Sequence, residues 1–244
     1  MKIAWVTPNI YLTGQMRLDP DALGLYLKTK GCSDATRDSY FHDSDALNIP
    51  SVAGKLCYNS FEVGLNPNVR SVRSDKLEHV VNMLKQKHGS VFEHMVFQFI
   101  FQNVSRVFTH ELVRHRVGTA FSQESMRYVR PANGIIRLVQ TPSMDEAEMA
   151  RYAAILQPSL DEVEKLFDAL DLEKDFAVKK FLTSKIRRLI PHGIATDIMF
   201  TCNVRQLAHI SHLRVSEAAE EEINSVFTQV SDMLGTLIPY WKEM

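Results

Sequence analysis

Residues 114–130 read RHRVGTAFSQESMRYVR, and the interpretation of the whole chain follows from them. Four arginines, one histidine, two serines and a glutamine share these positions, whereas charged residues make up 23% of the whole sequence. Such a cluster cannot be buried without anionic or hydrogen-bonding partners. The planar guanidinium fork matches phosphate and carboxylate oxygens two at a time. The stretch reads as a site for a phosphorylated ligand or, alternatively, as a solvated surface strand paired with nearby acids.

Working upstream, Asn103 or Ser105 caps a helix reaching about His115, with Val104, Val107, Phe108 and Leu112 on its apolar face. Glu111 and Arg114 lie three apart on a neighbouring stripe and can address one ligand. Before it, residues 91–101 (VFEHMVFQFIF) are aromatic and branched without a breaker, and predict a strand. Residues 76–87 carry apolar side chains at 77, 80, 81 and 84, a single helical face stopped by Gly89. Further back, residues 2–6 predict a strand, 21–28 a short helix and 33–45 a loop.

Downstream, residues 131–142 predict an irregular or β stretch, and 146–170 a helix broken near Pro158. Residues 176–189 predict a helix closed by Pro191. Residues 195–202 predict a strand, followed by a helix that Asn203 caps and that runs to about Arg214. A last helix spans 218–238, with Ile223, Val226, Phe227, Val230, Met233, Leu234, Leu237 and Ile238 on one seam. No repeat or linker interrupts the chain. The expectation is one α+β domain over residues 1–244, with a mixed, mostly antiparallel sheet flanked by helices.

Twenty-eight basic side chains face twenty-nine acidic ones, for a formal net charge of -1. That balance lacks the basic excess of nucleic-acid or membrane surfaces, so the local arginine cluster favours a small anion. Cys32, Cys57 and Cys202 are odd in number and lie outside any CxxC pair. They predict reduced thiols in the cytoplasm, and none sits in a nucleophile context. No apolar run reaches membrane-spanning length, and the N-terminus is a poor signal peptide.

In the helix after Asn203, Arg205, His209 and His212 recur at four and three, opposite Val204, Leu207 and Ile210. Arg214 closes that helix, either as a ligand contact or as a cation complementing the helix end. His209 and His212, or Glu93 with His94, raise metal binding. The helical zinc pair has i, i+4 spacing with an intervening Glu, and HISH has neither, so no metal is expected and His94 reads as a core strand histidine. There is no GxGxxG or P-loop, so a nucleotide cofactor must be held by side chains.

Arg114-His115-Arg116, a spacer and then Ser125-Met126-Arg127 resemble the signature of flavin-dependent thymidylate synthases. Residues 88–94 (HGSVFEH) resemble the family's upstream block, and Asn203-Val204-Arg205 with His209 and Arg214 its C-terminal helix. The resemblance covers about residues 50–240 and leaves 1–50 as a divergent N-terminal part. The spacer, Val117 to Glu124, has eight residues, one more than the family's usual length. Gly118 could absorb the extra residue in a bulge or altered turn.

The resemblance implies the family's fold and flavin adenine dinucleotide (FAD) bound in a homotetramer with sites shared between subunits. It implies methylation of deoxyuridine monophosphate (dUMP) to dTMP, with methylenetetrahydrofolate as one-carbon donor and NADPH as reductant. Ser90, His115, Arg116, Gln123, Asn203, Arg205 and His209 would hold the flavin. Glu111, Arg114, Gln123, Ser125, Arg127, Arg187 and Arg214 would hold the nucleotide. Ser125 and Arg214 would lie nearest the reacting base, Ser125 not as a covalent nucleophile and Arg214 favouring ionisation at N3. The alternatives are another flavin-dependent C5 modification, such as hydroxymethylation, and a non-catalytic nucleotide- or RNA-binding module.

Overall fold

The computed structural model describes residues 1–131 and 133–244. In chain order the elements are β1 (Lys2–Val6), β2 (Asn9–Gln15), α1 (Pro20–Thr29), α2 (Asp34–Asp38), α3 (Asp45–Tyr58), α4 (Lys76–Lys85) and β3 (Val96–Ser105). There follow α5 (Arg106–Leu112), β4 (Thr119–Gln123), β5 (Ile135–Val139), α6 (Glu146–Asp171), α7 (Phe176–Ile186), β6 (Ala195–Asn203), α8 (Val204–Arg214) and α9 (Glu221–Leu237). Strands β2-β3-β6-β4 form an antiparallel sheet, and β1 and β5 pair in parallel beside it. This is the expected α+β class, a mostly antiparallel sheet flanked by helices.

The alternation of β3 explains the core. Phe97, Phe99 and Phe101 point inward at period two. Phe101 stacks on Phe200 of β6 at 5.8 Å, and Phe121 of β4 on the same Phe200 at 5.4 Å. Helices α5, α8 and α9 cover this face with Phe108, Leu207, Ile210, Val226 and Phe227. Burial of each such ring contributes about 2 kcal/mol. A second core joins β5 to α6 and α7 through Ile136, Leu138, Leu160, Val163 and Ile186. A third, around Leu27, Tyr40 and Phe61, holds the N-terminal helices together.

Both site helices begin where a strand ends on a capping side chain. Asn103 sits at φ 56°, a left-handed conformation that Asn tolerates, and marks a register shift in β3. Its N–H donates to Asp197 at 3.0 Å and its Oδ1 accepts from Arg137 at 2.7 Å. The bulge turns Ser105 inward, where its hydroxyl accepts from Phe108 N–H at 3.0 Å to start α5. Asn203 likewise accepts from Gln206 N–H at 2.9 Å to start α8. Of the two caps expected for α5, Ser105 is the one used.

Several expectations are corrected. Residues 91–101 split into a 3-10 turn, Gly89–Glu93, and the strand that follows it. Burial of Val91 and Phe92 draws the chain into the turn, and His94 is exposed rather than a core strand histidine. Residues 33–45 are not a loop, because Ser33 caps α2. Helix α6 runs unbroken through Pro158. The carbonyl deprived of its donor belongs to exposed Ala154, where water can replace it. Val107 is 37% exposed rather than part of the buried face of α5. Strand β2 and helix α3 carry no strong period and escaped the sequence reading, as did β4 within the arginine-rich stretch.

Candidate active site

The loop from α5 into β4 brings Arg114-His115-Arg116 against α8, and the 3-10 turn Gly89–Glu93 meets the same helix through Arg205. Arg214, at the end of α8, donates from Nη1 to Glu111 Oε2 at 2.5 Å and from Nε to His115 Nε2 at 3.1 Å. Its Nη2 has no partner among the described residues. Arg214 therefore pairs across the fold rather than capping its own helix. Because His115 Nε2 accepts, the ring is held neutral. Burial, with Arg214, His209 and Arg114 around it, lowers its pKa to about 4.

The long spacer is resolved by a turn. Gly118 adopts φ 63°, and β4 then pairs with β6 without a register shift. The extra residue is thus absorbed before the strand rather than in a bulge. A Cβ on Gly118 would collide with the Asn203 amide, and Asn203 N–H donates to Gly118 O at 3.1 Å. Gly118→Ala should cost about 2 kcal/mol, from the left-handed backbone and the disturbed cap. Thermal unfolding reads this as a midpoint several degrees lower; an unchanged midpoint would count against the contact.

On the exposed face of α8 stand Arg205, His209 and His212, as their spacing requires. Arg205 reaches back to Glu93 at 2.5 Å. Its guanidinium lies over Gly89, where a Cβ would sit 2.8 Å from Nε. Exposed Ser90 shares that 3-10 turn. Exposed Ser90, Arg205 and His209 thus lie over buried Asn203 and His115, with exposed Arg114 and Arg116 on the adjoining loop.

On the other side of α5 lies a cavity of about 410 Å³ containing Arg187, Gln123, Arg106, Thr109, His110 and His192 in its wall. Among the described residues no carboxylate lines it. Arg187 is close enough to Arg106 to lower the latter's pKa, after burial itself, and Arg106 Nε is buried without a partner. The cavity is therefore built for an anion. Gln123 donates to Thr109 at 3.0 Å, tying β4 to the helix that also carries Glu111. Arg106, Thr109 and His110 were not singled out from sequence. Their spacing of three and four along α5 was the available signal.

Ser125 follows β4 in a turn closed by Tyr128 N–H at 3.0 Å, and its hydroxyl accepts from Arg127 N–H at 3.4 Å. Arg127 is exposed and meets neither Arg187 nor Arg214 within the chain. Of the nucleotide candidates, Glu111 and Arg214 touch, Gln123 and Arg187 share the cavity, and Arg127 stands apart.

The pH dependence of folding follows from three groups. His115, and His79 through burial, titrate near 4 in the native state instead of 6.5. Each lowered imidazole adds stability that is lost as pH falls through that window, at most about 3 kcal/mol apiece. Glu222, raised from 4.5 to about 6 by burial, acts oppositely at about 2 kcal/mol. The histidines prevail, so denaturant midpoints should rise from pH 4 to 6.5; a flat profile would contradict neutral buried rings.

Residues 40–240 match the family model described as thymidylate synthase complementing protein. A flavin-dependent thymidylate synthase of Clostridium tetani is 30% identical over 207 residues, covering 79% of this chain and 80% of that one. One from Nitratidesulfovibrio vulgaris is 27% identical over 202 residues, 81% of each. Among solved structures, a UMP/dUMP methylase, PolB, from Streptomyces cacaoi bound with 5-Br dUMP superposes with TM-score 0.66 at 16% identity, covering 100% and 96%. Thymidylate synthase X from Helicobacter pylori with FAD and dUMP gives 0.57 at 21%, covering 80% and 91%. With every element from α3 through α9 inside the matched span, the chain belongs to the flavin-dependent thymidylate synthase family.

Proposed function

We propose that this enzyme methylates dUMP at C5 to give dTMP, using FAD, methylenetetrahydrofolate as the one-carbon donor and NADPH as the reductant. The observation that carries the reading is the meeting of the RHR loop with the α8 face, where Arg214, Glu111 and His115 interlock. The residues present fit a flavin nucleotide. Gly89 lets the Arg205 guanidinium lie close over the 3-10 turn, and Arg205 and Arg116 are exposed cations for its phosphates. Ser90, Asn203 and His209 supply hydrogen bonds there, and neutral His115 can offer one without adding charge. Gln123, in the cavity beyond α5, would reach a flavin only from a neighbouring protomer. Bound and reduced, the flavin supplies hydride.

The nucleotide is held by Arg187 and Gln123 in the acid-free cavity, by Ser125 and Arg127 on the turn after β4, and by Glu111, Arg114 and Arg214. A fixed cation at N3 favours the electron-rich base that accepts a one-carbon unit at C5. Arg214 has Nη2 free for that contact while Glu111 and His115 fix its orientation. No thiol is needed. Burial pushes the Cys202 and Cys32 thiols up, leaving both poor nucleophiles.

A homotetramer would complete the site. Arg127 projects outward, and Leu172, Phe176 and Phe181 are 84%, 69% and 61% exposed around α7. An apolar groove of about 860 Å³ runs between α6 and α7, a surface suited to burial between copies. Among the described residues no helix is long and apolar enough to cross a membrane.

The likeness to a methylase of UMP and dUMP extends over the whole chain and favours a second reading, in which UMP is also accepted. Incubation with either nucleotide, folate donor and NADPH, followed by mass spectrometry, tests both. The expected product is the 5-methyl nucleotide from dUMP. A hydroxymethyl product would redirect the chemistry, and a colourless protein that fails to bind added FAD would end the enzyme reading.

A further inference from the structure

Away from the α5–α8 site, a cavity of about 300 Å³ opens where the β1–β2 loop and the segment after β5 meet α9. Its wall holds Thr7, Gln140, Thr141, Glu222, Ser225 and Gln229, and no Lys, Arg or His. Glu222 is 2% exposed. It accepts from the Ser105 N–H at 2.7 Å and from the Ser105 hydroxyl, and among the described residues no cation pairs with it.

The remaining wall adds two amide acceptors to hydroxyls that can accept as well as donate. Gln140 directs its amide nitrogen at Met144 O at 3.1 Å, and Gln229 at Ser225 O at 3.3 Å. These carbonyl partners fix which end is nitrogen and leave both amide oxygens without a donor among the described residues. Glu221 and Glu222, with the capping Glu220, outweigh the half positive charge of the α9 N-terminus.

We propose that this cavity binds a small organic cation rich in N–H donors, of the alkylammonium or guanidinium class, with Glu222 as counter-ion and Gln140 and Gln229 as acceptors. An ammonium has three donors and no acceptor, which suits the Glu222 carboxylate and the two amide oxygens. A quaternary ammonium has the same charge and no donor, and is rejected.

Ligand-observed NMR on the flavin-loaded enzyme, at constant ionic strength, compares ethylammonium with tetramethylammonium. Ethylammonium should bind saturably at about 1 mM, and tetramethylammonium should not. Glu222→Gln and, separately, Gln229→Met should each weaken ethylammonium about tenfold, the loss of one charge-assisted bond. Gln229 does not brace Ser105, so its variant remains informative if Glu222→Gln misfolds. Absence of saturation, equal binding of the two cations, or wild-type affinity in both variants would overturn the assignment. Because the readout is binding away from the nucleotide, it stands or falls independently of the reaction.

Discussion

Arg187→Ala is expected to weaken dUMP binding by about 10- to 100-fold, the loss of a charge-assisted phosphate contact of roughly 1.5–3 kcal/mol. Among the described residues the cavity it serves has no acid, and Arg106 and Arg188 in the same wall keep the variant's binding from being lost outright. Calorimetry on the flavin-loaded protein measures the change, and the visible spectrum should show the flavin retained. Deoxyuridine, which lacks the phosphate, supplies the control: its weaker binding should be indifferent to the substitution. Equal losses for nucleoside and nucleotide would mean that Arg187 shapes the protein rather than holding phosphate.

Arg214→Met should lower kcat by about 100- to 1000-fold, the range for removing one preorganised donor from a developing anion. Its guanidinium is oriented on two sides, by Glu111 at 2.5 Å and His115 at 3.1 Å, so little reorganisation precedes the reaction. Because Met leaves Glu111 without its cation, Glu111→Gln combined with Arg214→Met separates the two effects. If the lost cation matters, the double variant remains slow in single-turnover kinetics. Recovery of near-normal rates would assign the defect to the stranded carboxylate.

What could be read from sequence followed periodicity and caps. The aromatic run of β3 marked a strand but misplaced its start, putting it in the 3-10 turn. Residues of β6, α8 and α9 announced themselves through an apolar run or repeat or a capping Asn beside one. Strand β4 did not, because its exposed positions alternate with Phe121 inside a run chosen for arginines and serines. The α8 stripe of Arg205, His209 and His212 was legible because helical spacing alone places it. The anion cavity was half legible: Arg187 came from family likeness, whereas Arg106, Thr109 and His110 needed α5 to be seen from both sides. The pairing of Arg214 with Glu111, 103 positions apart, is a tertiary fact that no local pattern carries. Gly118 marked the site of the longer spacer, and only its backbone angle distinguished a turn from a bulge.

The central claim is that guanidinium groups from separate stretches meet on one pyrimidine monophosphate beside a flavin. A structure of the assembled enzyme with FAD and dUMP tests it most directly. Arg187 and Arg214, with Arg127 from the same or a neighbouring protomer, should all lie within hydrogen-bond reach of a single dUMP. Finding the nucleotide elsewhere, with these three side chains turned to different regions of solvent, would contradict the account.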